Sequence, residues 1–262
     1  MTKARSRRPA LFALSVALRE ARLARGMSLR ALAGRLEILP ATLSAWETGD
    51  RRPPAEAVAW ILGFLQVSPE EHRRVMLLHS QLDSPGYVEA LDAGTTSLQR
   101  AYEQFAVHTL EWAPHLVPEP LQTPGHLRAL LQSRGVRPDD IDQAIFTRQV
   151  ERIGHEPRGR HTLLLGAAAL APEFASPEVR RGQLRSFAAL PHTSVRVVPA
   201  GAGAVEPFTL YETEGGSFTV ALRHEHTTTY LTDSGATKRY RSTFKALQRV
   251  ALSCEQAHAS GE

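Results

Sequence analysis

His224-Glu225-His226 is the tightest gathering of chemically capable side chains in this 262-residue chain. On a strand the two imidazoles project to one face and the carboxylate to the other. Two histidines can begin a zinc site, but no third ligand follows at a suitable short spacing. The triplet therefore reads as polar residues on a solvated strand edge. The lone Cys254 leaves no partner for an internal disulfide or a multi-cysteine zinc site, and fits a reducing cytoplasm. Gly201-Ala202-Gly203 has no Lys-Ser/Thr after it, so it is a loop and not a phosphate cradle. Serine, histidine and aspartate are present, but no nucleophile-elbow motif presents a serine. His108, His115, His126 and His155 are scattered and read as structural. No catalytic residue, metal or cofactor is expected, and the chain does not read as an enzyme.

Arginine supplies a different chemistry, the gripping of a polyanion. Residues 1–82 hold 13 Lys and Arg against 7 Asp and Glu, whereas the remainder holds 18 against 20. All the excess positive charge lies in the first third, as expected if that part alone meets nucleic acid. The basic arm Lys3, Arg5, Arg7 and Arg8 opens the chain, and Arg30, Arg51 and Arg52 follow. RSRRPALFALSVAL imitates a signal peptide, but its apolar run ends at Arg19-Glu20 without a small-residue cleavage site. No uncharged run approaches the ~18 residues of a membrane span. A cytoplasmic location and no membrane contact are the expectation.

These arginines need elements to carry them. The apolar spacing Leu11, Leu14, Leu18, Ala21 predicts a first helix from about Leu11 to Arg25, ended by Gly26. Ser28 caps a second helix with Leu29, Leu32, Ala33 and Leu36 inward. After a break at Glu37-Ile38-Leu39, a third helix opens on Pro40 and runs to about Thr48, before Gly49. Leu43 and Trp46 should face inward. A fourth helix buries Val58, Ile61, Leu62 and Leu65, and a fifth starts at the capping signal Ser68-Pro69-Glu70-Glu71 and reaches about Leu82. Two short helices around a tight break form a helix-turn-helix, a unit that sets its second helix into the DNA major groove.

The ordered set Gly26, Leu32-Ala33, Leu43-Ser44, Glu47 and Gly49 resembles the XRE-type, lambda-repressor-like DNA-binding domain over roughly residues 11–80. The resemblance implies an all-α five-helix domain. It also implies a pair between an arginine late in the first helix, here Arg22, and the glutamate ending the recognition helix, here Glu47. Pro40, Ala41, Ser44, Ala45 and Thr48 should face the groove, with Thr42 at its edge. These are hydroxyls and methyls, not the Arg, Asn or Gln that read base edges most directly. Arg30, Arg51 and Arg52 would lie near the backbone, and the Lys3–Arg8 arm would follow the duplex or enter the minor groove. The sequence departs from the family pattern at three positions. Leu29 replaces a frequent glutamine, Glu37 replaces the turn glycine, and Leu39 replaces the serine cap of the recognition helix.

A boundary near Asp83-Ser84-Pro85-Gly86 divides the chain into a DNA-binding domain, residues 1–82, and a mixed α+β domain, residues 83–262. In the second, residues about 87–112 read as helical. Further helices are expected over about 125–133, 138–153, 176–190 and at the C-terminus, the last burying Tyr240, Phe244, Leu247 and Val250. Strands are expected at His161–Leu165, Ser194–Val198, Phe208–Glu212, Ser217–Leu222 and Thr227–Thr232. The segments LVPEPLQTPGHLRALL, SPEVRRGQLRSFAALPHTSVRVVPAGAGAVEPFTLYE and FKALQRVALS resemble the C-terminal domain of actinobacterial regulators similar to WhiJ, whose PGLLQT is PEPLQT here. That resemblance implies a regulator of development or secondary metabolism, often with a small acidic partner protein, and puts Glu225 at an acidic position of the family that could line a ligand pocket. The helix-turn-helix makes double-stranded DNA the expected partner, and a homodimer is attractive because tethering two copies raises the affinity of a helix poor in base-reading groups. The alternative is an antitoxin-like interaction module whose DNA binding is vestigial.

Overall fold

The computed structural model describes residues 8–90, 98–152, 159–170, 174–190, 192–201, 206–224, 226–254 and 256. An all-helical region comes first: α1 (Pro9–Ala24), α2 (Leu29–Arg35), α3 (Pro40–Glu47), α4 (Ala55–Phe64) and α5 (Pro69–Ser80). A mixed region follows: β1 (Gly86–Ala90), α6 (Leu98–Phe105), β2 (His108–Ala113), α7 (Pro124–Ser133), α8 (Pro138–Arg152), β3 (Arg160–Gly166) and α9 (Ala167–Leu170). It continues with α10 (Pro177–Ala188), β4 (Thr193–Val198), β5 (Phe208–Glu212), β6 (Phe218–Arg223), β7 (Thr227–Leu231), α11 (Ser234–Val250) and β8 (Leu252–Ser253). The fold is thus an all-α N-terminal region followed by a mixed α/β domain.

The helices start where the sequence offers caps. The hydroxyls of Ser28, Ser68, Thr123 and Ser176 accept from the backbone N–H three residues on, and proline opens α1, α3, α5, α7 and α10. The left-handed Gly26 (φ 62°) terminates the first helical turn segment after α1.

Two compact units emerge from the backbone. The first comprises residues 1–102 and 213–237, the second residues 103–212 and 238–262. In the first unit, Leu14 and Leu18 of α1, Leu32 of α2, Leu43 of α3, Ile61 and Leu62 of α4 and Val75 of α5 form one hydrophobic core. Leu11 and Leu29, expected inside, are only partly buried against it. The same unit holds strands in the order β1-β7-β6, with β1 antiparallel to β7 and β7 antiparallel to β6. An aromatic column joins helix to strand: Phe12 meets Tyr102 edge-on (4.9 Å between centroids), and Tyr102 stacks on Tyr230 (5.5 Å). The Glu89 carboxylate is buried beside it, accepting from Leu98 N (2.7 Å) and Tyr230 Oη (3.1 Å). Burial pushes that carboxyl above its ordinary range, opposed by these two hydrogen bonds.

The second unit has strands in the order β5-β2-β3-β4-β8. β2, β3 and β4 run parallel, whereas β5 and β8 are antiparallel to their neighbours. Crossovers α7–α8 and α9–α10 make this parallel order possible. Leu163, Leu164 and Leu165 are all fully buried, as a strand covered on both faces requires. Gly166 ends that strand against the Pro114 backbone, which a Cβ at this position would overlap.

Three further expectations are corrected. Residues 87–112 are not one helix; strands β1 and β2 flank α6, because cross-strand partners on β7, β3 and β5 outweigh local helix spacing. Leu110 lies on β2, not on a helix. Val250, at the end of α11, is exposed and not part of the core. His224 and His226 do not lie on a strand: His224 N donates to Thr227 O across the β6–β7 turn, and both residues are exposed there. Glu225 lies outside the described residues.

Candidate nucleic-acid interface

The α2–α3 junction is built by three backbone devices. Ser28 Oγ accepts from Ala31 N at the start of α2. Glu37 adopts φ 53°, so the turn is made in a left-handed conformation without glycine, at a cost of about 1–2 kcal/mol. Leu39 then takes the N-cap position with no side-chain hydrogen bond and is 72% exposed. Gly49 closes α3 with φ 76°, and a Cβ there would come within 3.3 Å of Ser15 Oγ on α1.

The orientation of α3 is fixed from beneath. Arg22 of α1 meets Glu47 of α3 in a fork: Nε donates to Oε1 and Nη2 to Oε2, both at 2.7 Å. The third limb of the guanidinium, Nη1, donates to Met27 O (2.7 Å), tying in the α1–α2 turn. Both side chains are nearly inaccessible, at 8% and 4% exposure. The carboxylate's hydrogen bond raises the affinity of Arg22 for its proton, against the opposing effect of burial. A bidentate, buried and fully bonded pair is a directional clamp.

The face of α3 opposite this clamp is open. Pro40 and Ala41 are exposed, while Thr42, Ser44, Ala45 and Thr48 are half-buried. Thr48 is already engaged, donating to Ser44 O (2.9 Å) or Asp50 Oδ2 (2.6 Å). Arg30, Arg51 and Arg52 are exposed. The loop carrying Arg51 and Arg52 is held at both ends, by Arg51 N donating to Ala45 O (3.0 Å) and by His79 Nε2 against Pro53 O (3.0 Å). Lys3, Arg5 and Arg7 lie outside the described residues. Arg8 is described, and it reaches Asp83, which the sequence marks only as part of the domain boundary. Arg8 Nη1 and Arg52 Nη1 both donate to the Asp83 carboxylate, at 3.1 and 2.9 Å. Asp83 is 31 residues from Arg52 and 75 from Arg8, so no local spacing in the sequence reveals this trio.

No helix among the described residues is long and apolar enough to cross a membrane, and no group of three or more His, Cys, Asp or Glu gathers among them to hold a metal. Sequence reading did miss a Thr–His–Glu alignment in the second unit. His108 Nε2 lies 2.8 Å from Thr162 Oγ1, and Nδ1 lies 3.8 Å from Glu212 Oε2. The second gap exceeds a hydrogen bond, and Thr162 is buried within β3, so the hydroxyl is not presented to a substrate.

A family profile described as Domain of unknown function (DUF5753) matches residues 97–260. The chain belongs to that family. Ahead of the DUF5753 region, a profile described as Helix-turn-helix domain matches residues 13–75, from within α1 to within α5. The chain therefore couples a helix-turn-helix, a domain type consistent with DNA binding in general, to a DUF5753 domain. No curated protein matches it. One solved structure, titled as that of TrmBL2, an archaeal chromatin protein with a novel mode of DNA binding, is similar at 13% identity with a TM-score of 0.32. The match covers 75% of this chain and 66% of that one, so the chain spans less than two thirds of its length. At that score the likeness carries no inference about fold or function.

Proposed function

We propose that this protein is a cytoplasmic transcriptional regulator of the WhiJ-like, XRE-type group, which sets α3 into the major groove of operator DNA. In this reading residues 1–82 contact the duplex, and residues 83–262 supply homodimerisation and the sensing of an effector or a small acidic protein. The observation that carries it is the buried Arg22–Glu47 clamp, which presents one open face of α3 with Arg30, Arg51 and Arg52 exposed alongside. Thr42, Ser44 and the methyls of Ala41 and Ala45 are the base-facing groups, and the arginines are the phosphate-facing ones. Affinity then comes chiefly from phosphate contacts, and tethering two copies offsets the weak base reading. Lys3, Arg5 and Arg7 extend the same basic surface along the duplex.

A second reading, an interaction module with vestigial DNA binding, is favoured by α3 itself. The helix carries no Arg, Asn or Gln, and Leu39 stands exposed at its entrance. Genome-wide mapping of bound DNA, followed by titration of the recovered fragments at several salt concentrations, separates the two. The regulator reading expects discrete sites and affinity that falls steeply with salt. Affinity indifferent to salt, or no enriched sites, overturns it.

A further inference from the structure

The two arginines at the edge of the proposed interface do not stand free. Arg8 precedes α1 and Arg52 follows α3, yet both place a guanidinium nitrogen on one carboxylate, that of Asp83. Each of the three side chains is at least half exposed, so water and ions reach them all. Two guanidinium groups converging on one doubly liganded oxyanion form the arrangement that suits a backbone phosphate. The carboxylate supplies the same charge and paired acceptors on a smaller scale.

The backbone holds Asp83 in place. Ser84 N donates to Gln81 O (2.9 Å), and Ser84 Oγ donates to Gly86 O (2.7 Å). Two residues beyond Asp83, Pro85 O accepts from both Thr232 N (3.0 Å) and Thr232 Oγ1 (3.1 Å) just past β7. The carboxylate is thus delivered from the strand side of the unit onto arginines of the helical side. Hydrogen bonding from Arg52, reinforced by its charge and by Arg8, holds the Asp83 carboxyl below its ordinary range, so it is ionised at neutral pH.

We infer that Arg8 and Arg52 form a single phosphate seat, and that Asp83 occupies this seat in the DNA-free protein as a built-in competitor. The inference builds on the DNA-binding reading above and adds a regulatory element to it. Binding must exchange the carboxylate for a phosphate. The trio carries one net positive charge in place of two, which lowers both affinity and salt sensitivity. Any partner or effector that draws the α5–β1 connection, which carries Asp83, away from the arginines raises affinity.

Asp83→Asn in the full-length protein tests this on a genomic fragment that the wild-type protein binds. The variant should bind about 3–10-fold more tightly at ~0.1 M salt, with the slope of log affinity against log salt steeper by about 0.9, the value for one further neutralised phosphate. The same substitution in an Arg8→Ala/Arg52→Ala background should change affinity little, because the competitor then has nothing to occupy. Equal tightening in both backgrounds means that Asp83 acts only as a general negative charge, and overturns the inference. So does unchanged affinity in Asp83→Asn while the wild type binds. Failure of every variant, wild type included, to bind any mapped fragment overturns the DNA-binding reading and this inference together.

Discussion

Arg22 and Glu47 form the most demanding contact in the helical region. Removing one partner leaves the other charged, buried and unbonded. Arg22→Ala should therefore cost about 3–5 kcal/mol of stability, read by denaturant unfolding. Replacing both residues with methionine should recover most of that loss, because neither charge then needs burial. DNA affinity should stay low in the double variant, since the clamp that fixes the angle of α3 is gone. Full affinity in the double variant would show that core packing alone orients the helix. Two neighbouring residues are local compromises. Leu39→Ser supplies the missing N-cap acceptor and should add about 1 kcal/mol. Glu37→Gly relieves the left-handed backbone, and the gain of about 1 kcal/mol is partly offset by the greater freedom of glycine when unfolded. Both changes should raise the thermal midpoint; a fall in either would mean that the observed turn geometry is not strained.

The element α3 divides the proposed contacts into two kinds. Arg52→Ala should weaken binding to all DNA sequences by a similar factor, because a phosphate contact carries no base identity. Thr42→Ala should instead change the ranking among fragments, which a competition assay between mapped sites detects. If both leave binding untouched, α3 is not in the groove. Legibility in the sequence also divided by element. The α1–α5 helices, their serine caps and the glycine stops were readable because each follows from spacing and capping chemistry within a few residues. Strands β3 to β7 were readable from short runs of apolar and β-branched residues. Strands β1 and β2 were not, because Tyr87-Val88 and Leu110-Glu111-Trp112 acquire their extended form from partners 52 to 143 residues away. Asp83 was hidden for the same reason: its two arginines are remote in the chain.

At the scale of the whole molecule, acid sensitivity is expected from the DUF5753 region. His126 on α7 is 2% exposed, and neither ring nitrogen has a hydrogen-bond partner among the described residues. Burial holds its pKa below the ordinary 6.5. The unfolded chain then takes up a proton near pH 6.5 that the folded chain refuses, so stability declines as pH falls from there toward the folded pKa. The thermal midpoint should be lower at about pH 5.5 than at about pH 7.5, and His126→Leu should narrow that difference. An unchanged difference would assign the acid sensitivity to other groups. Cutting the chain is informative as well. A fragment ending at residue 82 keeps the α1–α5 core but strips Tyr102 and Tyr230 from the column above Phe12. It should fold into helices yet melt at a lower temperature than the full-length chain, because Phe12 has lost the rings that cover it. Equal melting of the fragment and the full-length chain would show that the column adds nothing to the helical core.

The first compact unit is assembled from two stretches of chain, residues 1–102 and 213–237. A ribosome releases the first stretch long before the second. For more than a hundred residues of synthesis, the nascent helices must persist without β6 and β7, with Phe12 and Tyr102 awaiting Tyr230. The last strand pair then seals a loop whose closure entropy grows only slowly with its length. Birth order thus makes the aromatic column the final seam of that unit to close.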